Sequence, residues 1–171
     1  MIRIRPEKPE DYDAVHRINR DAFGREVEAT LVEALRRRPE HISELSLVAF
    51  CDARLVGHIL FSPLTIEFPS CVTPAIALAP LAVDPPYQRK GVDSALVRRG
   101  LDAAHRLGHR LVIVIGHADY YPRFGFVPAR PFGIDVPFPC PDEAFMLMEL
   151  VAGAMKGVGG MVRYPAEFSE V

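Results

Sequence analysis

The stretch that decides the fold lies between Ala75 and Ile115. It reads AIALAPLAV (75–83), DPPYQRKGVDS (84–94), ALVRRGLDAAHRLGHR (95–110) and LVIVI (111–115). The first and last runs are almost wholly apolar, which favours strands covered on both faces. Between them, apolar residues recur at helical spacing over Gly91–Leu107, and Gly108 follows as a cap. A strand, a helix and a strand in this order form a βαβ crossover, which requires parallel pairing.

The flanking sequence supplies further elements, and its 16 prolines mark where they end. Two more helices are predicted, one opening at Pro9 and one over Glu26–Arg37. The predicted strands are Ile2–Arg5, Leu45–Cys51, Leu55–Leu64, Phe145–Leu150 and Met161–Tyr164, with a short turn at Asp119–Phe124. The sequence therefore predicts one α/β domain over residues 1–171.

Composition excludes several classes of protein. The longest charge-free run, 68–83, has 16 residues and three prolines, whereas a membrane span needs about 20 apolar residues. The N-terminus lacks the apolar stretch of a secretion signal, and three widely spaced cysteines suit neither a disulfide framework nor a zinc site. A net charge of −2 argues against nucleic-acid binding. We therefore expect a cytoplasmic protein with no membrane, nucleic-acid or metal partner.

Charge is distributed unevenly along the chain. Between Pro85 and Arg130 there are eight Lys or Arg residues against three Asp, a local balance of +5, whereas residues after Arg130 carry −4. The basic segment contains the loop 84–93, which joins a predicted buried strand to the best predicted helix. Ligands of open α/β sheets bind where such strands end and helices begin. The loop is thus a candidate site for a small phosphorylated ligand, although solvated helix faces would produce the same charge pattern.

Two motifs carry a resemblance to a known family. Strand residues Leu81, Ala82 and Val83 precede Gln88-Arg89-Lys90-Gly91-Val92-Asp93-Ser94, which is similar to the acetyl-CoA loop of the GCN5-related N-acetyltransferases (GNAT). In that family the loop reads Gln or Arg, two residues, Gly, one residue, then Gly or Ala. Downstream, Tyr120–Phe126 reads YYPRFGF and resembles the family's Tyr-x-x-x-Gly-Phe segment. The order of the predicted elements also agrees.

The resemblance implies a GNAT fold and an acetyl-CoA-dependent enzyme. The fold is a mixed central sheet of about six to seven strands with a splayed central parallel pair, flanked by about four helices. It also implies an acetyl-CoA-binding core at about 75–127 and acceptor-side strands at about 128–171. Residues 128–171 resemble a less characterised bacterial branch of predicted acetyltransferases in this superfamily, and this part of the resemblance is weaker.

Site roles follow residue by residue from the resemblance. Backbone N–H groups of Leu81–Val83 would hold the acetyl carbonyl and the pantetheine arm. Gln88, Arg89, Lys90, Gly91, Val92, Asp93 and Ser94 would hold the pyrophosphate of coenzyme A. Tyr121 would meet the leaving thiolate, as a proton or hydrogen-bond donor, with amphipathic packing as the alternative role and Tyr120 as the fallback.

The base that deprotonates the amine is harder to place. Glu67, after a predicted strand, and His58, within it, are candidates, but a strand histidine is often a hydrogen-bonded core residue. His117 has a suitable position and could equally cap a turn. Asp84 could simply orient the cofactor loop. The His105/His109 pair spans the end of a helix, so a metal site is not expected, and Gly157–Gly160 is predicted to be a turn.

Asp93 departs from the family pattern, which has Gly or Ala at its position. A carboxylate about 4 Å from a phosphate oxygen would repel it by roughly 4 kcal/mol at an effective dielectric near 20. Alternatively, the side chain points into solvent and interacts only with the helix dipole, for about 0.3–1 kcal/mol.

Two kinds of function remain after these steps. The first is direct transfer of acetyl from acetyl-CoA to a primary amine, without a cysteine intermediate. The second is a non-catalytic binding module or acyl-CoA sensor whose loop has decayed at Asp93. The acceptor, a small molecule or peptide, would be shaped by 23–28 and by the proline-rich segment 131–142. A homodimer is compatible with either function.

Overall fold

The computed structural model describes all residues, Met1–Val171. It contains three α-helices, α1 (Tyr12–Phe23), α2 (Val27–Arg36) and α3 (Val92–Arg106). Its nine strands are β1 (Ile2–Pro6), β2 (Ser46–Cys51), β3 (Arg54–Phe68), β4 (Cys71–Val83), β5 (Leu111–Ile115), β6 (Val127–Pro128), β7 (Ile134–Asp135), β8 (Phe145–Glu149) and β9 (Gly160–Arg163).

The predicted α/β architecture is confirmed, with differences in detail. Seven strands have four or more residues, whereas β6 and β7 are two-residue strands that the sequence did not indicate. The expected number of about four helices is corrected to three, because the remaining helical segments are single 3-10 turns such as Pro9–Asp11 and Tyr121–Phe124. Both begin at or beside a proline, which fixes φ but cannot extend a hydrogen-bonded helix backwards.

The residues group into two compact units, and we describe each separately. The first comprises Met1–Ser62, Leu78–Ala104 and Ala166–Val171. In it β1 pairs antiparallel with β2, and β2 pairs antiparallel with β3. The amphipathic faces of α1 and α2 bury Val15, Ile18 and Leu31 together with Phe50 and Ala82, which removes their apolar surface from water.

Helix α3 lies unusually close to β3 in this unit. A side-chain Cβ at Gly100 would lie 2.3 Å from the Phe61 ring, and one at Gly57 would lie 2.9 Å from Leu96 and Val92. Glycine at these two positions therefore permits the close packing of α3 against β3.

The second unit comprises Pro63–Ala77 and His105–Pro165. Here β5 pairs antiparallel with β8, β8 with β6, and β9 pairs with both β3 and β7. The crossover predicted from the sequence is confirmed, since β4 and β5 are parallel and align Ile76 with Val112 and Ala77 with Ile113.

The parallel pair has only these two aligned residue pairs, although β4 continues to Val83 and β5 to Ile115. Pro80 lies three residues beyond the last aligned residue of β4 and has no N–H to donate. The aligned part of the parallel pair therefore ends before Pro80. One domain over 1–171 stays a prediction. None of the three α-helices combines the length and the apolar character that a membrane-spanning helix requires.

Candidate functional site

The end of β4 carries the predicted strand residues. Ala82 is buried in the core cluster that α1 and α2 share. Because side chains alternate along a strand, those of Leu81 and Val83 lie on the opposite face. The carbonyl of Val83 accepts a hydrogen bond from the side-chain amide of Gln88 at 3.0 Å. The end of the strand is thus tied to the loop that follows it.

The loop after β4 has an unusual backbone. A 3-10 turn at Pro85–Tyr87 is followed by Arg89 at φ 61° and Gly91 at φ 83°, both in the left-handed region. Left-handed residues within a turn aim successive N–H groups into one concavity, the arrangement that binds anions. Arg89 tolerates this conformation at a cost, whereas Gly91 adopts it freely.

The same loop is open to a ligand. Apart from Gly91 and its chain neighbours, nothing lies within 4 Å of the position that a Cβ on Gly91 would take, and Gln88, Arg89 and Lys90 are exposed. Helix α3 begins at Val92, and the first N–H groups of a helix have no partner within it. Two cations, an uncovered glycine and the N-terminal end of a helix together suit a diphosphate.

Asp84 organises this loop. Its buried carboxylate lies 3.1 Å from Arg54 and 3.5 Å from Arg17, and its carbonyl accepts the N–H of Tyr87 at 2.8 Å. The cations of Arg54 and Lys90 lie 5.7 and 5.4 Å from the centre of the Tyr87 ring. The structure therefore supports the orienting role considered for Asp84. No sequence signal indicated Arg17 or Arg54, since both come from elements remote along the chain.

The first turn of α3 contains Asp93 and Ser94, both half-buried. An acidic side chain here interacts favourably with the helix dipole. The same position places a carboxylate beside the amides predicted to receive phosphate oxygens, so both interpretations of Asp93 stay open to experiment.

Tyr121 lies in the second unit, at the start of the 3-10 turn Tyr121–Phe124. Only 8% of it is exposed, and its ring makes edge-on contacts with Tyr120 at 5.0 Å and Phe126 at 5.6 Å between centroids. Its N–H donates to the carbonyl of His117. The ring is therefore firmly placed, while its catalytic role stays a prediction.

The candidate bases differ sharply in their surroundings. Glu67 is exposed at the end of β3, where its carboxylate lies 3.3 Å from Arg163 Nε and accepts from Thr65 at 3.3 Å. His117 is exposed. His58 is completely buried, and burial lowers its pKa to about 4. His58 is thus a core histidine, as the alternative interpretation had it, and it is too weak and too enclosed to accept a substrate proton.

The proline-rich segment 131–142 is held by one side chain. Arg130 Nε donates to Asp135 at 2.9 Å, and its Nη1 donates to Asp142 at 2.6 Å and to the carbonyl of Cys140 at 2.5 Å. Phe132 and Phe138 are exposed on this segment. Only the fold brings Asp135, Cys140 and Asp142 together on the side chain of Arg130.

The turn 152–157 ends at Gly157, and β9 begins at Gly160, so this glycine-rich segment connects a turn to the last strand, as predicted. No group of three or more His, Cys, Asp or Glu side chains is arranged to hold a metal.

Comparison with known proteins agrees with this geometry. The model of the "Acetyltransferase (GNAT) domain" family matches residues 3–129. The chain is 38% identical over 153 residues to "Uncharacterized N-acetyltransferase YjhQ" of Escherichia coli K12, covering 87% of this chain and 84% of that protein. It is 33% identical over 167 residues to "Uncharacterized N-acetyltransferase YhbS" of the same organism, covering 97% and 98%.

Solved structures show the same fold. The crystal structure of YhbS from Escherichia coli in complex with CoA has a TM-score of 0.88 at 32% identity, covering 98% of this chain and 91% of that one. A GNAT family acetyltransferase from Brucella melitensis in complex with acetyl-CoA has a TM-score of 0.80 at 28% identity, covering 98% of both chains. With a family model matched over residues 3–129 and relatives aligned over nearly its whole length, the chain belongs to the GNAT family of acetyltransferases.

Proposed function

We propose that the protein transfers the acetyl group of acetyl-CoA to a primary amine by direct attack of the amine on the thioester. The observation that carries this proposal is the loop Gln88–Gly91, with its left-handed Arg89 and Gly91 opening onto the start of α3. Relatives of the same fold were crystallised with CoA and acetyl-CoA, which supports the same ligand here.

The loop would bind the pyrophosphate of the coenzyme. Backbone N–H groups of Gln88 to Ser94 would receive its oxygens, and Arg89 and Lys90 would balance its charge. Because the Gln88 side chain already bonds the Val83 carbonyl, its contribution is to hold the loop against β4. The N–H groups of Leu81 and Val83 would bind the pantetheine arm and polarise the acetyl carbonyl.

The chemistry requires that a proton leave the amine and that the sulfur leave the tetrahedral intermediate. The neutral amine forms the new C–N bond, the C–S bond breaks, and the thiolate of coenzyme A departs. The phenol of Tyr121 would donate a hydrogen bond or a proton to that thiolate. Glu67 would take the proton of the amine, with His117 as the alternative. At the exposed end of β3, the carboxylate of Glu67 would have to exchange Arg163 for the substrate ammonium group.

The acceptor would be a small molecule or a peptide whose amine reaches this site. The segments 23–28 and 131–142 would shape its specificity. Three free cysteines are compatible with a reducing cytosolic compartment.

Thiol release from acetyl-CoA in the presence of an amine panel tests the proposal, together with calorimetry of coenzyme A binding. We expect micromolar coenzyme binding and turnover of at least one amine. In Tyr121→Phe, turnover should fall at least tenfold, as expected for loss of a general acid, while coenzyme affinity stays within about twofold. Absence of both binding and turnover would overturn the proposal.

One observation favours a second function, a non-catalytic acyl-CoA sensor or binding module. Asp93 occupies the first turn of α3, where its charge would oppose a phosphate bound to the neighbouring amides. Coenzyme binding without turnover of any amine, unaffected by Tyr121→Phe, would support this alternative.

A further inference from the structure

Gly116, the residue directly after β5, has no backbone reason to be glycine. Its φ lies outside the left-handed region, unlike most glycines of this chain. Its N–H donates to the carbonyl of Ala144 at 3.0 Å, so its position is fixed against the residue that precedes β8.

The lack of space for a side chain at position 116, rather than the backbone conformation, explains why this residue is glycine. A Cβ at position 116 would lie 2.4 Å from Cε2 of Tyr121, 3.1 Å from Cδ2 and 3.4 Å from Cζ. A Cβ atom essentially never lies within 3.0 Å of a heavy atom to which it is not bonded through its own residue or neighbours. One edge of the Tyr121 ring therefore lies directly on the backbone of Gly116, in space that any other residue would fill.

The ring has little freedom to retreat. Tyr120 lies edge-on to it with an interplanar angle of 84°, and Phe126, itself 2% exposed, lies edge-on at 76°. Pro122 follows Tyr121 and limits its backbone conformations. A methyl group at position 116 must move the ring by about 1 Å to restore ordinary van der Waals contact, and the hydroxyl moves with it.

We propose that Gly116 is a positioning residue for catalysis. Because it has no side chain, the Tyr121 ring packs directly against its backbone, and this contact fixes the position of the Tyr121 hydroxyl. This inference rests on the proposed function, in which that hydroxyl meets the leaving thiolate. A misplacement of 1 Å in a reacting group costs up to about 100-fold in rate.

A kinetic double-mutant cycle tests the proposal, using an acceptor found with the amine panel. We expect Gly116→Ala to lower kcat by about 10- to 100-fold with the KM for acetyl-CoA changed less than about threefold. In the Tyr121→Phe background, the same substitution should leave kcat unchanged within about threefold, because the hydroxyl it misplaces is already gone. The matched control is Gly159→Ala, whose backbone is equally ordinary and whose Cβ would meet only the Gly133 carbonyl, at 3.4 Å.

A second double-mutant cycle measures the contact between Gly116 and the Tyr121 ring through the free energy of unfolding, without an activity assay. It remains informative if Gly116→Ala alone fails to fold. Removing the ring with Tyr121→Ala should make Gly116→Ala nearly neutral for the free energy of unfolding. In the wild-type background the same change should be destabilising. In protein labelled with 3-fluorotyrosine, the ¹⁹F resonance that Tyr121→Phe removes should shift in Gly116→Ala.

The outcomes separate the two proposals. Wild-type turnover by Tyr121→Phe would overturn the catalytic role of Tyr121, and with it the role of Gly116. If Tyr121→Phe is slow, additive losses in the kinetic cycle would overturn the inference alone. Equal unfolding costs of Gly116→Ala in both stability backgrounds would also overturn it.

Discussion

The imidazole Nε2 of His58 lies 3.0 Å from the hydroxyl oxygen of Ser46, deep between β2 and β3. The Ser46 hydroxyl donates to Glu7 at 2.7 Å, so its oxygen accepts from the His58 Nε2–H. On the other side, Asn19 Nδ2 lies 3.2 Å from His58 Nδ1 and donates to it. Both ring nitrogens thus have partners that fit a neutral imidazole, because a proton on Nδ1 would point at the donating amide of Asn19.

This arrangement predicts acid sensitivity. Burial lowers the pKa of His58 to about 4, whereas an unfolded histidine titrates near 6.5. Between pH 6.5 and 4, His58 therefore binds a proton in the unfolded chain but stays neutral in the folded chain. The free energy of unfolding should fall as pH drops through this window, by up to about 3 kcal/mol from this residue.

Urea unfolding of the wild type and of His58→Gln at pH 7 and 4.5 measures this effect. The variant should be less stable at pH 7, because Ser46 and Asn19 lose a buried partner, by about 1–3 kcal/mol. Its further loss at pH 4.5 should be smaller than that of the wild type. Parallel losses in both proteins would contradict the prediction.

His16 should show the opposite pH dependence. Its Nδ1 lies 2.7 Å from Glu33 and its Nε2 2.8 Å from Glu26, so both ring nitrogens face carboxylates. The hydrogen bond to Glu33, followed by that to Glu26, raises the pKa of His16 against the cost of burial. The charged ring therefore stabilises the fold below its unfolded pKa, and this contribution disappears as pH rises through the folded-state pKa.

For His16→Gln we expect a loss of about 1 kcal/mol at pH 6, since the partners are partly exposed to solvent. At pH 9 the loss should nearly vanish. Thermal or urea unfolding at the two pH values measures it, and an equal loss at both would show that the ring does not bind a proton on folding.

Gly91→Ala should weaken coenzyme A binding specifically. A side chain at φ 83° costs roughly 1–2 kcal/mol, and relief of that strain would move the N–H groups of the cofactor loop. Gly108→Ala is the matched control, since Gly108 has φ 90° and equally open surroundings at the end of α3. Both variants should lose similar stability, whereas calorimetry should show at least tenfold weaker coenzyme binding in Gly91→Ala only. Equal coenzyme A affinities in the two variants would show that the loop does not bind the coenzyme.

Removing the charge of Asp93 should tighten coenzyme binding. Repulsion of a phosphate about 4 Å away amounts to roughly 4 kcal/mol at an effective dielectric near 20, so we expect at least tenfold tighter binding in Asp93→Gly. Asp93→Asn separates charge from bulk, because it keeps the size of the side chain. Calorimetry of both variants measures the effect, and wild-type affinity in both would show that the carboxylate points away from the ligand.

Much of the fold was accessible from the chain because its signals are local. The strand Leu111–Ile115 was predicted residue for residue, and the helix predicted over Gly91–Leu107 runs over Val92–Arg106. Such elements can be predicted from the spacing of apolar residues and from the glycines at their ends, without knowledge of tertiary contacts. The two-residue strands β6 and β7 were missed, because they exist only where a partner strand supplies their hydrogen bonds.

The candidate site divides in the same way. The loop Gln88–Ser94 and Tyr121 were recognisable from motif and spacing, since their chemistry depends on neighbours along the chain. No sequence motif indicated Gly116. Its proposed role depends on having no side chain where the Tyr121 ring packs, and that contact is visible only in the folded structure.

By itself, then, the sequence determined the family, the βαβ unit and the loop expected to bind a diphosphate, all of which follow from residue order and local backbone preference. Tertiary structure alone decided that His58 is a buried neutral core residue, that Asp84 is held by Arg17 and Arg54, and that the Tyr121 ring rests on Gly116. These relationships depend on distances between segments remote in the chain or on the space around a ring. Neither quantity is fixed until the elements pack.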